Sequence, residues 1–144
     1  MNKKILIMLT ATILSLGATK SIAEEGKRFD SSVTWKNVVK IDYKPGKRGD
    51  ALKIIKDYYM PATKKAGTEG PELVFELQTG DYDLLVVWHM SGGITDMTWE
   101  DHPDDAKWIA ALNEVAGSEE KAKEIMAKYL SYVEHAENDI ALVR

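Results

Sequence analysis

The sequence predicts an α+β domain built on one four-stranded antiparallel sheet. Three observations carry that prediction. Apolar and polar residues alternate over 33–43 and again over 73–77, the period of two expected of strands with one buried face. The run Leu84-Leu85-Val86-Val87-Trp88 is apolar at both parities, as in a strand covered on both faces. Apolar residues recur at helical spacing over 50–66 and 103–136.

The elements follow in order. In the first strand Val33, Trp35, Val39, Ile41 and Tyr43 share one parity, and Lys36, Lys40 and Asp42 the other. Lys44-Pro45-Gly46 supplies turn residues at its end. Asp50 is the expected N-cap of a first helix carrying Leu52, Ile55, Tyr59 and Ala62 on one side. Pro61 falls inside it and is expected to kink or split it, because proline lacks the amide proton the helix needs. Ala66-Gly67 is a C-terminal stop. Leu73–Leu77 and Asp83–Met90 flank the turn Thr79-Gly80-Asp81 and form a hairpin. Gly92-Gly93 breaks the chain, and Asp101 or His102 caps the next helix, with Pro103 in its first turn. That helix shows Trp108, Ile109, Leu112 and Val115 and stops at Gly117; Ser118 starts another, extended through Tyr132, Val133 and Ala136. Asn138-Asp139 reads as a turn and Ile140–Val143 as a short last strand.

The order strand, helix, strand, strand, helix pair, strand is the βαββαβ plan called ferredoxin-like, with both crossovers placing helices on one face of the sheet. The middle hairpin then leaves large apolar side chains on the opposite face, whichever face the helices cover. At about 25 cal/mol per Å² of apolar area, leaving that face wet forgoes several kcal/mol. A second copy packed face to face is the simplest cover.

The element order, the apolar second face and the body from Trp35 to Arg144, with Val39-Lys40-Ile41-Asp42-Tyr43-Lys44-Pro45-Gly46 leading into the helix 50–66, resemble the dimeric α/β-barrel superfamily. The resemblance implies a homodimer whose two sheets close one barrel. That superfamily holds small cofactor-free monooxygenases, haem-degrading enzymes, isomerases, cyclases, stress-response proteins and ligand-sensing modules, so the fold does not name a function. Its haem degraders use an Asn on the first strand, a Trp on the third and a His near the second helix. This chain has Asn37, Trp88 and His102 in those elements, although export fits poorly with an enzyme that needs a cytosolic electron donor.

Residues 1–23 are expected to be a secretory signal: Lys3 and Lys4, an apolar run from Ile5 to Leu16 too short to span a bilayer comfortably, then Ser21-Ile22-Ala23 before a cut. Residues 24–32 form a flexible lead-in and 33–144 the domain. The expected location is periplasmic or secreted, with no membrane contact after signal removal. Beyond residue 23 the chain holds 16 basic and 23 acidic residues, a balance that argues against nucleic acid as a partner. The charge is divided: residues 24–65 carry a net +5 and 66–144 a net −12. The absence of Cys excludes disulfides, thiolate metal sites and Cys nucleophiles.

His89, at the end of the most buried strand, and Tyr43, at the end of the first, are the candidate catalytic residues. An imidazole at a cavity rim serves as base or acid, and a phenol holds a substrate oxygen. Both are expected to approach one cavity; each residue type is also common as plain core. Trp88, Tyr59 and Trp108 are the candidate ligand-binding residues, suited to a flat apolar ligand and equally to packing. His102 with Asp101, Asp104 or Asp105 lacks a metal-ligand spacing, and an acid-rich helix start explains the cluster without metal. No cofactor is called for. Two functions compete: a homodimer that binds or transforms a small apolar or aromatic molecule between sheet and helices, by cofactor-independent monooxygenase- or isomerase-like chemistry if it is an enzyme; and a non-enzymatic envelope or stress-related dimer module.

Overall fold

A computed structural model describes Gly26, Arg28, Phe29 and residues 32–144. The expected signal segment lies outside the described residues, as does much of the lead-in. Strands β1 (Thr34–Tyr43), β2 (Leu73–Glu76), β3 (Leu84–Met90) and β4 (Val133–Val143) form one sheet in the order β2-β3-β1-β4, every neighbouring pair antiparallel. Helices α1 (Arg48–Ile54) and α2 (Met60–Ala66) follow β1; α3 (Pro103–Ala116) and α4 (Glu119–Tyr132) follow β3. This is the ferredoxin-like α+β arrangement that the element order predicts. No described helix is long and apolar enough to cross a membrane.

Register decides which residues face the helices. Val39 pairs with Val86 and Ile41 with Leu84, and these pack with Tyr43 and Ala51 into one core cluster. A second cluster, Ala62, Ala111, Leu112 and Ala122, lies where α2, α3 and α4 meet. The other face of the sheet carries Leu73 and Phe75 from β2, Leu85 and Val87 from β3, and Val38 from β1, all at the opposite parity. Leu73 and Phe75 are about half exposed, at 50% and 48%. The second apolar face expected of the hairpin is therefore present.

Two expectations for the first crossover are corrected. Asp50 does not cap the first helix; the helix starts at Arg48 with Lys47 at the N-cap, and Asp50 sits in the first turn. Pro61 does not split the helix. A π-helical turn, Ile55–Tyr59, joins α1 to α2, with the Met60 amide donating to the Ile55 carbonyl five residues back. This wider turn reroutes the ladder just where proline's missing donor would leave a gap, and Pro61 falls in the first turn of α2, where no donor is required. The helix ends as expected, at Gly67 with φ +67°.

The last strand is 11 residues long rather than four, and it begins where α4 stops. Asn138-Asp139 is not a turn: Asn138 pairs with Val39 and Asp139 with Val38. His135 is consequently on a strand, opposite Asp42, and not on a helix surface. Lys40 explains why an acidic stretch stays extended. Its Nζ lies 2.8 Å from Glu137 Oε2 and 3.0 Å from Asp139 Oδ2, both on the strand beside it.

Glu137 also gives the fold an acid-sensitive element. The hydrogen bond from Lys40, then those from Tyr82 and His135, hold its carboxyl down at about 2, against an ordinary 4.5. A lowered native value contributes stability that is complete above the unfolded value and disappears as pH falls through the native one. The melting-temperature difference between the native chain and Glu137→Gln should therefore be constant above about pH 4.5 and close toward pH 2. Thermal melts across that window check it; a difference that widens on acidification would contradict it.

Candidate functional site

A cavity of about 530 Å³ opens between the sheet and the helices. Asn37, in the middle of β1, forms its floor beside Trp88, its register partner on β3. Trp108 on α3 and Met97 add apolar wall, and Thr63 on α2 lines it too. His102, the N-cap of α3, stands at the border.

The wall residues are tightly held. The Trp108 indole Nε1–H donates to Thr63 Oγ1 at 2.9 Å, and the Thr63 hydroxyl donates to the Tyr59 carbonyl at 3.0 Å. Tyr59 meets Trp108 edge to face at 5.3 Å between ring centres and Tyr129 at 5.2 Å. Burial pushes the Tyr59 phenol up to about 12. Such a ring is a rigid neutral wall, not a proton carrier at ordinary pH.

His102 caps α3 through a reciprocal pair. Its Nδ1 accepts from the Asp104 amide at 3.2 Å, and Asp105 Oδ2 accepts from the His102 amide at 3.2 Å. The capping role read from the sequence is present, and it places the ring proton on Nε2. Among the described residues no cluster of three or more potential ligands could hold a metal ion.

Asn37 is the exception to this order. Its Oδ1 is buried and has no hydrogen-bond partner, the one such side-chain atom among the described residues. A buried amide left unmatched costs about 1–3 kcal/mol, and a rotation of the amide by half a turn exchanges its donor and acceptor ends. Asn37 was legible as an anomaly: it is the polar residue on the apolar parity of its strand, between Trp35 and Val39. That signal identifies it without any reference to a family.

The two candidate catalytic residues do not come together. Tyr43 is buried at 4% exposure in the helix-side core, where its hydroxyl meets the Tyr129 hydroxyl at 3.0 Å, and it does not line this cavity. Burial, then the Tyr129 contact, raises its pKa well above the ordinary phenol range. His89 pairs with Lys36, whose parity faces away from the helices. His89 borders the cavity at the strand end, but its Nδ1 sits 3.2 Å from Lys36 Nζ, which also pairs with Glu72. An ammonium has only donors, so Nδ1 is the acceptor. Of the candidate ligand-binding residues, Trp88 and Trp108 line the cavity directly and Tyr59 supports Trp108 from behind.

No family model matches the sequence, and neither does any curated protein. Among solved structures, the chain is similar to a NIPSNAP family protein of unknown function from Agrobacterium tumefaciens, at 18% identity and a TM-score of 0.49, over 76% of this chain and 87% of that one. A second A. tumefaciens NIPSNAP family protein gives 15% identity and a TM-score of 0.49, over 78% and 93%. An uncharacterised NIPSNAP domain protein from Burkholderia xenovorans gives 16% and 0.46, over 76% and 94%.

Proposed function

We propose that the chain is a small exported homodimer that binds a small apolar or aromatic molecule in the cavity between sheet and helices. The observation that carries this reading is the unmatched amide of Asn37, set in the floor of a cavity walled by Trp88 and Trp108. A hollow of several hundred Å³ with aromatic walls and convergent polar groups has the size and form of a small-molecule site. Binding is better supported than turnover. The cavity is bordered by two imidazoles, His89 and His102, each engaged through its Nδ1, and has no base and nucleophile poised against each other. The homodimer is supported by the apolar stripe Leu73, Phe75, Val38, Leu85 and Val87 on the helix-free face, which a second sheet would cover.

Replacing Asn37 by Leu tests the reading with opposite signs. Removing an unmatched buried amide should raise stability by about 1 kcal/mol, while ligand binding is lost. Denaturant melts and native mass spectrometry of co-purifying ligand read the two effects. An Asn37→Leu chain that is destabilised and still carries ligand would sink the reading.

A haem-binding reading has one specific observation in its favour. Asn37, Trp88 and His102, the residues in the elements that haem degraders of the resembling superfamily use, line the same cavity. The rest of the lining opposes it. Glu69, Asp96, Asp104 and Asp105 border the cavity and no Lys or Arg does, an unfavourable setting for haem's two carboxylates. Haem titration decides: a sharp, saturable Soret shift that His102→Ala abolishes would favour haem over the first reading.

A further inference from the structure

We infer that the molecule taken by this cavity carries a positively charged nitrogen, an ammonium or guanidinium group, on its apolar body. The inference rests on the ligand-binding reading above and adds the charge of the ligand to it.

Two observations on different elements converge. The first is the charge of the border: Glu69 after α2, Asp96 in the 3-10 segment Gly93–Thr98, and Asp104 and Asp105 at the start of α3, with no Lys or Arg among the lining residues. Their occupation differs. Asp104 is paired with Lys107 at 2.7 Å, Asp105 accepts from the His102 amide, and Asp96 accepts from the Gly92 amide at 3.0 Å. None of those amide contacts neutralises a charge. Glu69 has no cationic partner among the described residues. Lys65, one turn away, is taken by Glu114 at 2.7 Å. With Asp104 offset by Lys107, the remaining charge at the mouth is still negative.

The second observation is the wall. Trp88 and Trp108 present indole rings to the cavity, and the face of an indole is the side-chain surface that attracts cations best. Acidic border and aromatic wall favour the same ligand chemistry, and an anionic ligand would be opposed by both.

The 91–102 segment fits this use. Gly92 sits so close to Asp96 that an added Cβ would fall 2.2 Å from Asp96 Oδ1; the missing side chain lets the carboxylate fold back over the turn. Met97 and Trp99, at 59% and 53% exposure, give the same segment apolar surface.

Three probes with one body and three charges test the inference on the purified protein: 3-phenylpropylamine, 3-phenylpropanol and 3-phenylpropionate. Binding is read by calorimetry and by the Trp88 and Trp108 indole N–H signals in nitrogen-15 correlation spectra. The amine is expected to bind at least about tenfold more tightly than the carboxylate, with the alcohol between them. Its advantage over the alcohol should shrink with added salt and in Glu69→Gln, an exposed position whose change does not threaten folding. Equal affinities, or a preference for the carboxylate, would overturn the charge inference and leave the ligand-binding reading standing. No binding by any probe, with the indole signals unmoved, would overturn both.

Discussion

Leu112→Ala is expected to cost about 4 kcal/mol, the upper part of the range for a buried Leu-to-Ala change. Leu112 is fully buried, and its closest buried companions are Ala62, Ala111 and Ala122. Those alanines mark where the backbones of α2, α3 and α4 approach. A methyl group has no rotamer with which to move into a void, so these alanines cannot close the hole left by Leu112. A domain of this size has about 5–15 kcal/mol in all, so the loss is a large share of it. Leu130→Ala is the control: Leu130 is 67% exposed, and its change should stay within about 0.5 kcal/mol. Denaturant unfolding of both variants checks the pair. Similar small losses would mean that the helical layer is not packed around Leu112.

Val87→Asp carries the second large effect, on assembly instead of folding. Val87 pairs with Val38 on one side and Leu73 on the other, in the middle of the apolar stripe on the helix-free face. A carboxylate there stays hydrated in a separate chain but would be stripped of water between two sheets, at a cost of several kcal/mol. Sedimentation at micromolar concentration should show a dimer for the native chain and a monomer for Val87→Asp, with unchanged circular dichroism. A native chain that sediments as a monomer, or a variant that stays dimeric, would refute the face-to-face pairing.

Much of the fold was legible because its signals are local. Alternation marked β1 and the hairpin, and Ser118 and His102 marked their helix starts by the caps they make. The last strand escaped because its signal is not local. Tyr132, Val133 and Ala136 continue a helical spacing, and only the ladder with β1 and the two acids held by Lys40 turn that stretch into strand. The pairing of Tyr43 with His89 failed for a related reason. A strand apolar at both parities does not reveal which parity meets the helices. Register shows that it is the set Leu84, Val86 and Trp88, which carries Trp88 into the cavity and turns the His89 ring to the other face. Asn37 was named only through the haem-degrader resemblance, although one polar side chain on an apolar parity is an inconsistency from which the strand pattern alone could have found it.

The π turn in the first crossover has a consequence for inheritance. Each helical residue advances the chain by about 100°, so a turn that holds one extra residue shifts the phase of everything after it by that angle. Tyr59 and Thr63 reach Trp108 only in the shifted phase. The turn thus has the form of a one-residue insertion retained within a helix, with Pro61 guarding it against being ironed out. A descendant that lost one residue between 55 and 59 would keep a good helix and still point Thr63 away from the indole it supports. Among relatives, the length of this crossover should therefore change together with the residues at 63 and 108, and a cavity of this shape should be found only where the extra residue is kept.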